Sequence, residues 1–220
     1  MKPFVHDFVD LPELDAEIVD GIGRLYTTPS GVRYPSITTI LSAGSDNSWL
    51  EAWKERVGEA EVKRISSIAA RRGTAVHELA EQYLRNNPSY KKGHMPANIA
   101  SFNYIKPFLD KHITTIAGLE VPLWSDKLRA AGRVDCIAKW DGIWSIVDFK
   151  TSKREKNRDD IHSYFMQESA YAYMMFERTG ILCKQLVTVM TIDDSQPKVF
   201  VERAKDWLPK FMQLRETVKI

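Results

Sequence analysis

Asp148 and Lys150, separated by Phe149 in the run GRVDCIAKWDGIWSIVDFKTSK, are residue types suited to metal and phosphate chemistry rather than to packing. A second acid, Asp135, lies thirteen residues upstream in another apolar run. Two carboxylates and an ammonium set into hydrophobic sequence cost burial free energy and add nothing to a core. The arrangement has a use if the acids hold a divalent cation beside a water and a phosphate.

Positioning these groups calls for strands. Read with period two, Arg129–Trp140 and Ile143–Lys150 form adjacent strands joined at Asp141-Gly142, a dipeptide that favours tight hairpins. Alternation then puts Asp148 and Lys150 on one face and Val147 and Phe149 on the other. Upstream, Glu120 in GLEVPLW has two readings, an edge-strand carboxylate in water or a group facing the hairpin acids. On the segment RRGTAVHELAEQYL, Val76, Leu79, Ala80, Tyr83 and Leu84 make one apolar helical stripe. His77 sits at the rim of that stripe, about 100° from Val76, either as a satisfied core-edge residue or as a ligand. Gly73 just before it permits close approach of another backbone. Downstream, Gln167 and Tyr171 are one helical turn apart, which by itself describes many helix faces.

Composition bounds the partners. The chain has 220 residues, 44% hydrophobic and 27% charged, and a formal net charge of +2. That balance suits a globular domain with a real core and excludes a strongly basic footprint, so nucleic-acid contact has to come from local clusters. Two clusters stand out, Lys63, Arg64, Arg71 and Arg72, and Lys150, Lys153, Arg154, Lys156 and Arg158. Cys136 and Cys183 lie in separate apolar runs without metal-type spacing and read as buried thiols of a reducing compartment. No apolar run approaches the length of a membrane span and the acidic N-terminal segment has no signal-peptide core, so a cytoplasmic protein is expected, in the host cytoplasm if phage-encoded.

Along the chain, residues 1–20 read as an irregular arm, and Arg24–Tyr26 with Val32–Tyr34 as a small hairpin. Ser36 caps a short helix. A helical stretch from Ser48 to Arg85 is expected to break near Gly58 and again at Arg71–Gly73, and a further helix covers Ala97–Thr114. Strands follow from Leu119 through the hairpin, then a helix over Asp159–Arg178 closed by Gly180, a strand at Leu182–Ile192, a short strand at Lys198–Val201 and a last helix at Ala204–Lys219. This order argues for an α/β sandwich with a sheet of modest size.

A helical His, a strand Glu, a strand Asp, Asp-x-Lys and then QxxxY, in that order, resemble the PD-(D/E)XK nuclease superfamily and its RecB-like branch. Gly73-Thr74-Ala75-Val76-His77 with Glu81 matches that branch's GTxxHxxxE signature, Asp148-Phe149-Lys150 its Asp-x-Lys step, and Gln167 to Tyr171 its QxxxY. YPSITTIL, LEAWKER, GRVDCIA and VDFKTSK further resemble a group of mitochondrial genome maintenance, phage and bacterial exonucleases, from about residue 24 onward. Val134 stands where the superfamily's name has proline.

The resemblance implies an α/β, restriction-endonuclease-like core, a small mixed sheet flanked by helices, with an N-terminal helical region. All of residues 1–220 would form one nuclease domain: an arm (1–23), a hairpin and helical region carrying the His helix (24–115) and the catalytic core (116–220). His77, Asp135, Asp148 and the Phe149 carbonyl would ligate Mg2+ or Mn2+, and Lys150 would orient or help deprotonate the attacking water. Glu120 would complete the acidic cluster or hold a second metal or a water, while Gln167 and Tyr171 would act beside it. Ser36, Thr38 and Thr39 would hold phosphates, and Trp49, Trp53, Lys54, Arg72 and Lys153 would line a single strand, the tryptophans having helix packing as their alternative. The implied activity is a monomeric, metal-dependent DNA exonuclease preferring single strands with a free end. Alternatives are a flap or junction endonuclease on the same core and a non-catalytic subunit that binds single-stranded nucleic acid.

Overall fold

The computed structural model describes residues 3–46 and 48–220, with the side chain of Trp49 outside that set. The chain opens with β1 (Val5–His6), β2 (Asp15–Val19), β3 (Gly23–Thr27) and β4 (Arg33–Pro35). Ser36 caps α1 (Ile37–Ala43), its hydroxyl accepting from the Thr39 N–H at 3.0 Å. Helix α2 (Ser48–Val57) ends at Gly58, whose φ of 86° lets the chain turn into α3 (Glu59–Leu84). After α4 (Pro96–His112) the chain passes directly into β5 (Ile113–Ser125). β6 (Ala130–Trp140) and β7 (Ile143–Ser152) form the expected hairpin, with Asp141 and Gly142 both at positive φ, as a primed turn requires. A 3-10 turn at Arg158–Ile161 leads into α5 (His162–Thr179), which Gly180 ends in the left-handed conformation. β8 (Gln185–Ile192), β9 (Lys198–Arg203) and α6 (Ala204–Thr217) complete the chain.

Two sheets result. The larger has the order β1-β5-β6-β7-β8-β9 and is mixed: β1/β5 and β7/β8 are parallel, the other neighbours antiparallel. The smaller is β2-β3-β4. Helices cover both faces of the large sheet. On one face Val76, Leu79, Leu84, Phe102 and Leu109 from α3 and α4 pack with Val147, Phe149 and Val189. On the other, Ile37 and Ile40 of α1, Phe165 and Met174 of α5 and Phe211 of α6 pack with Ile146 and Leu186. Alternation along β7 thus holds, with Val147 and Phe149 opposite in sense to Asp148 and Lys150. A third cluster, Leu14, Tyr26, Trp124 and Ala131, fastens the small sheet to the end of β5 and β6. Among the described residues no helix is long and apolar enough to cross a membrane.

The helix expected to reach Thr114 ends at His112, and the strand expected from Leu119 begins at Ile113, because pairing with β1 and β6 draws that segment into the sheet. Two further expectations fail. The segment expected as an irregular arm supplies β1, registered Val5↔Thr115, and β2, registered Ala16↔Tyr26. Its exposed strands have no apolar alternation of their own and exist because edges elsewhere in the chain offer them hydrogen bonds. The break expected at Arg71–Gly73 is absent, and α3 runs through it. A mid-helix glycine costs only about 1 kcal/mol. The buried stripe from Ala75 to Leu84 and an ion pair from Arg72 to Asp193 anchor the chain on the far side of that point and beside it.

Candidate active site

The hairpin strands part at their acidic residues. Paired residues of β6 and β7 run from Trp140↔Ile143 to Cys136↔Val147, and one step further would set Asp135 opposite Asp148. Beyond that point β6 pairs only with β5, and β7 continues with β8. Asp135 Oδ2 accepts from the Phe149 N–H at 2.9 Å, replacing the ladder bond that the splayed strands no longer make.

Side chains from both helical layers meet at this gap. His77, from α3, brings Nδ1 to 3.4 Å from Asp135 Oδ2, and its ring meets Phe149 edge-on at 6.3 Å. Glu120 stands on β5 between Leu119↔Cys136 and Val121↔Val134, beside Asp135 in register. It has φ 53°, a left-handed conformation costly for a side chain of this kind. The Arg133 guanidinium donates to its carbonyl. Ligand atoms of His77, Glu120 and Asp135 all lie within 4.8 Å of one another. Glu120 and His77, which come from different elements, thus lie together beside Asp135.

Asp148 is engaged elsewhere. Lys150 Nζ lies 2.5 Å from Asp148 Oδ2, a buried oxygen that no well-aligned hydrogen bond reaches. Lys150 Nζ also donates to Gln167 Oε1 at 3.5 Å, and Gln167 Nε2 to Tyr171 Oη at 3.4 Å, so the QxxxY pair reaches the lysine from α5. Gly132 makes room for that tyrosine, since a Cβ there would lie 2.7 Å from Tyr171 Oη. Tyr164, not foreseen from the sequence, sets its ring 5.0 Å from the ammoniums of both Lys150 and Lys156.

Electrostatics follow from burial and crowding. Burial raises Glu120 to about 7, with the Asp135 charge adding to it. Burial raises Asp148 to about 6 against the attraction of Lys150, and Asp135 adds to the rise. For Asp135 burial acts the same way, but His77, Lys150 and the Phe149 N–H outweigh it and hold the carboxyl below its usual range. Burial disfavours the His77 imidazolium, yet Asp135 and Asp148 push it up to about 9. Lys150 likewise stays above its ordinary value despite burial, because Asp148 and Asp135 face it. The lysine is an ammonium here, as Coulomb attraction between neighbours requires.

One buried acid was missed by sequence reasoning. Glu168 on α5 is 0% exposed, accepts from Thr188 Oγ1 on β8, and its Oε2 has no partner among the described residues. Burial and then the Asp148 charge raise it well above the usual carboxyl range. A signal was present: Phe165, Ala172 and Met175 form the apolar stripe of this helix, and Glu168 interrupts it at a core-facing position.

The remaining residues expected at the site are more dispersed. Ser36, Thr38 and Thr39 share hydroxyl hydrogen bonds with one another, at 2.9 Å and 2.8 Å from Ser36 Oγ, and Ser36 and Thr38 line a cavity with Asp135. Lys54 pairs with Glu51 at 2.7 Å, and Trp53 lies beside it on α2, which packs against α3. Arg72 is tied to Asp193. Lys153 is exposed and, after Arg64, helps lower the Glu61 carboxyl. Trp49's side chain lies outside the described residues. Cys136 and Cys183 are buried free thiols, as expected.

No family model matches the chain. It is 28% identical over 131 residues to mitochondrial genome maintenance exonuclease 1 of Homo sapiens and 27% identical over 129 residues to the Mus musculus protein of that name. Each match takes in 56% of this chain and 38% of the relative, so the chain spans well under half the length of the curated proteins it resembles. Among solved structures, a protein of Eubacterium rectale carrying a provisional exonuclease name has a TM-score of 0.42 at 14% identity, covering 67% of this chain and 69% of that one.

Proposed function

We propose that this chain is a metal-dependent deoxyribonuclease of the PD-(D/E)XK, RecB-like type, acting as an exonuclease on single-stranded DNA. The observation that carries the reading is the meeting of His77, Glu120 and Asp135 with the Asp148–Lys150 pair at the gap between β6 and β7. The partial similarity to curated exonucleases supports the same reaction class.

The donor set fits a divalent cation. Two carboxylates and an imidazole converge within 4.8 Å, and Asp148, paired through Oδ2 with Lys150, is near enough to help raise the His77 imidazole. His77, Glu120 and Asp135 would hold the ion, with Asp148 and the Phe149 carbonyl completing its shell. Oxygen donors suit magnesium, and the imidazole shifts preference toward manganese. When bound, such an ion polarises a phosphoryl oxygen and acidifies a water.

The chain's own groups supply the rest. Lys150, held as an ammonium, orients the attacking water and offsets charge developing on the phosphorus oxygens. Gln167 fixes Nζ through its carbonyl oxygen, and Tyr171 fixes Gln167. Ser36, Thr38, Thr39, Trp53, Lys54, Arg72 and Lys153 remain proposed contacts to the strand.

End-labelled single- and double-stranded DNA, with magnesium or manganese against EDTA, tests this reading. Metal-dependent loss of the linear single strand is expected, with a closed single-stranded circle left intact. Digestion of the circle would replace the exonuclease with an endonuclease, and absence of any hydrolysis would leave a binding subunit.

A further inference from the structure

Beside the carboxylates lies a cavity of about 360 Å3, between the small sheet, the start of α1 and the outer half of β6. Its volume falls in the range of small-ligand sites, roughly 300–1,000 Å3. Asp135 and Glu120 form part of its wall, and Arg24, Tyr26, Thr38 and Arg133 form another part. Cation-seeking and anion-seeking groups thus share one enclosure, the pattern needed to hold a phosphate next to a metal.

Two of these residues have unused bonding capacity. Tyr26 is 4% exposed, packed among Leu14, Trp124 and Ala131, and its hydroxyl has no hydrogen-bond partner among the described residues. The residue's ring is packed away while Tyr26 lines the cavity, where its hydroxyl can meet a ligand. Arg24 presents a guanidinium with no acceptor among the described residues, whereas Arg133 is held by the Glu120 carbonyl and Glu13. The backbone around Arg24 is nevertheless fixed: its N–H donates to Thr39 Oγ1 at 3.1 Å, and Gly23, at φ 111°, allows that approach where a Cβ would lie 2.8 Å from the same oxygen. An exposed arginine on a fixed backbone and a tyrosine with a packed ring therefore line one cavity.

We propose that this cavity is a mononucleotide subsite, which takes the end nucleotide of the strand with its phosphate on Arg24 and Tyr26 Oη and its sugar and base against the small sheet. The substrate strand rests on the nuclease reading above; occupancy of the cavity by a nucleoside monophosphate does not. A guanidinium–phosphate contact is stronger than a neutral hydrogen bond, so Arg24 dominates affinity and Tyr26 adds to it.

The test is calorimetric titration of the full chain with thymidine 5′-monophosphate and with thymidine, in magnesium, beside the end-labelled DNA assay. Saturable binding of the monophosphate is expected, at least tenfold tighter than that of thymidine. Arg24→Ala should weaken it about tenfold or more, Tyr26→Phe about threefold or more, and Arg24→Lys should restore part of the loss, with unchanged melting as the fold control. Equal affinity for both ligands, no binding by the wild type, or variants that bind as the wild type does would overturn the subsite. A protein that binds the monophosphate but hydrolyses no DNA keeps the subsite and loses the nuclease reading. One that hydrolyses DNA without binding the monophosphate does the reverse.

Discussion

Asp135 Oδ2 accepts the Phe149 N–H at 2.9 Å while the same oxygen faces His77 Nδ1 at 3.4 Å. One carboxylate therefore closes a backbone gap between two strands and anchors a site that carries charge. The two tasks separate by substitution. Asp135→Asn keeps an acceptor for Phe149 and should fold, with DNA hydrolysis reduced about 100-fold or more. Asp135→Ala should lose the same activity and about 1–3 kcal/mol of stability besides, since it orphans a buried N–H. Denaturant melts alongside the nuclease assay separate the two, and equal stability of both variants would dissociate the hydrogen bond from folding.

Lys150 is held between Asp148 and Gln167, so its removal touches chemistry more than metal affinity. Lys150→Ala should lower hydrolysis about 100- to 1,000-fold while manganese still binds, as read by titration calorimetry. Loss of metal binding together with activity would show that the lysine shapes the ligand set rather than attending the water.

The acid cluster makes stability depend on pH with a definite sign. Glu120 titrates at about 7 folded against 4.5 unperturbed, and His77 at about 9 against 6.5. Across both windows the folded chain binds more protons than the unfolded one, so stability falls as pH rises. Asp148, at about 6, adds to the same trend, while the lowered Asp135 acts only at more acidic pH. The melting temperature of metal-free protein should therefore drop between pH 5.5 and 8.5, by roughly 2–4 °C for each kcal/mol lost. Magnesium or manganese replaces those protons and should reduce or invert the drop. A melting temperature at pH 8.5 indifferent to both ions would rule this cluster out as the metal site.

Glu168 should reveal itself through stability. Glu168→Gln keeps an acceptor for the Thr188 hydroxyl and removes a carboxyl beside Asp148, so metal-free protein should melt at the same temperature or higher. Glu168→Ala opens a cavity and orphans Thr188 Oγ1, at about 2–4 kcal/mol. Should both variants lose stability equally, the ionised carboxylate is the form the fold requires.

Much of this was legible in the chain. Asp141-Gly142 favoured a tight hairpin, the alternation around Asp148 and Lys150 assigned their face, and the apolar stripe of α3 placed His77 at its rim. Those are local rules, set by two periodicities and by which residues tolerate positive φ. Tertiary structure alone decided that β6 and β7 part after Cys136↔Val147, that Glu120 turns inward at a left-handed φ, and that an exposed arm becomes β1 and β2. It also decided that Arg24 and Tyr26, some 110 residues before Asp135, wall the cavity beside that acid. Each of these depends on pairing between distant segments, whose energy lies in hydrogen bonds and desolvation between chains of residues that local sequence cannot see. Charge follows the same division: residue types told that acids and a lysine were present, but burial and proximity alone set which of them carries the proton.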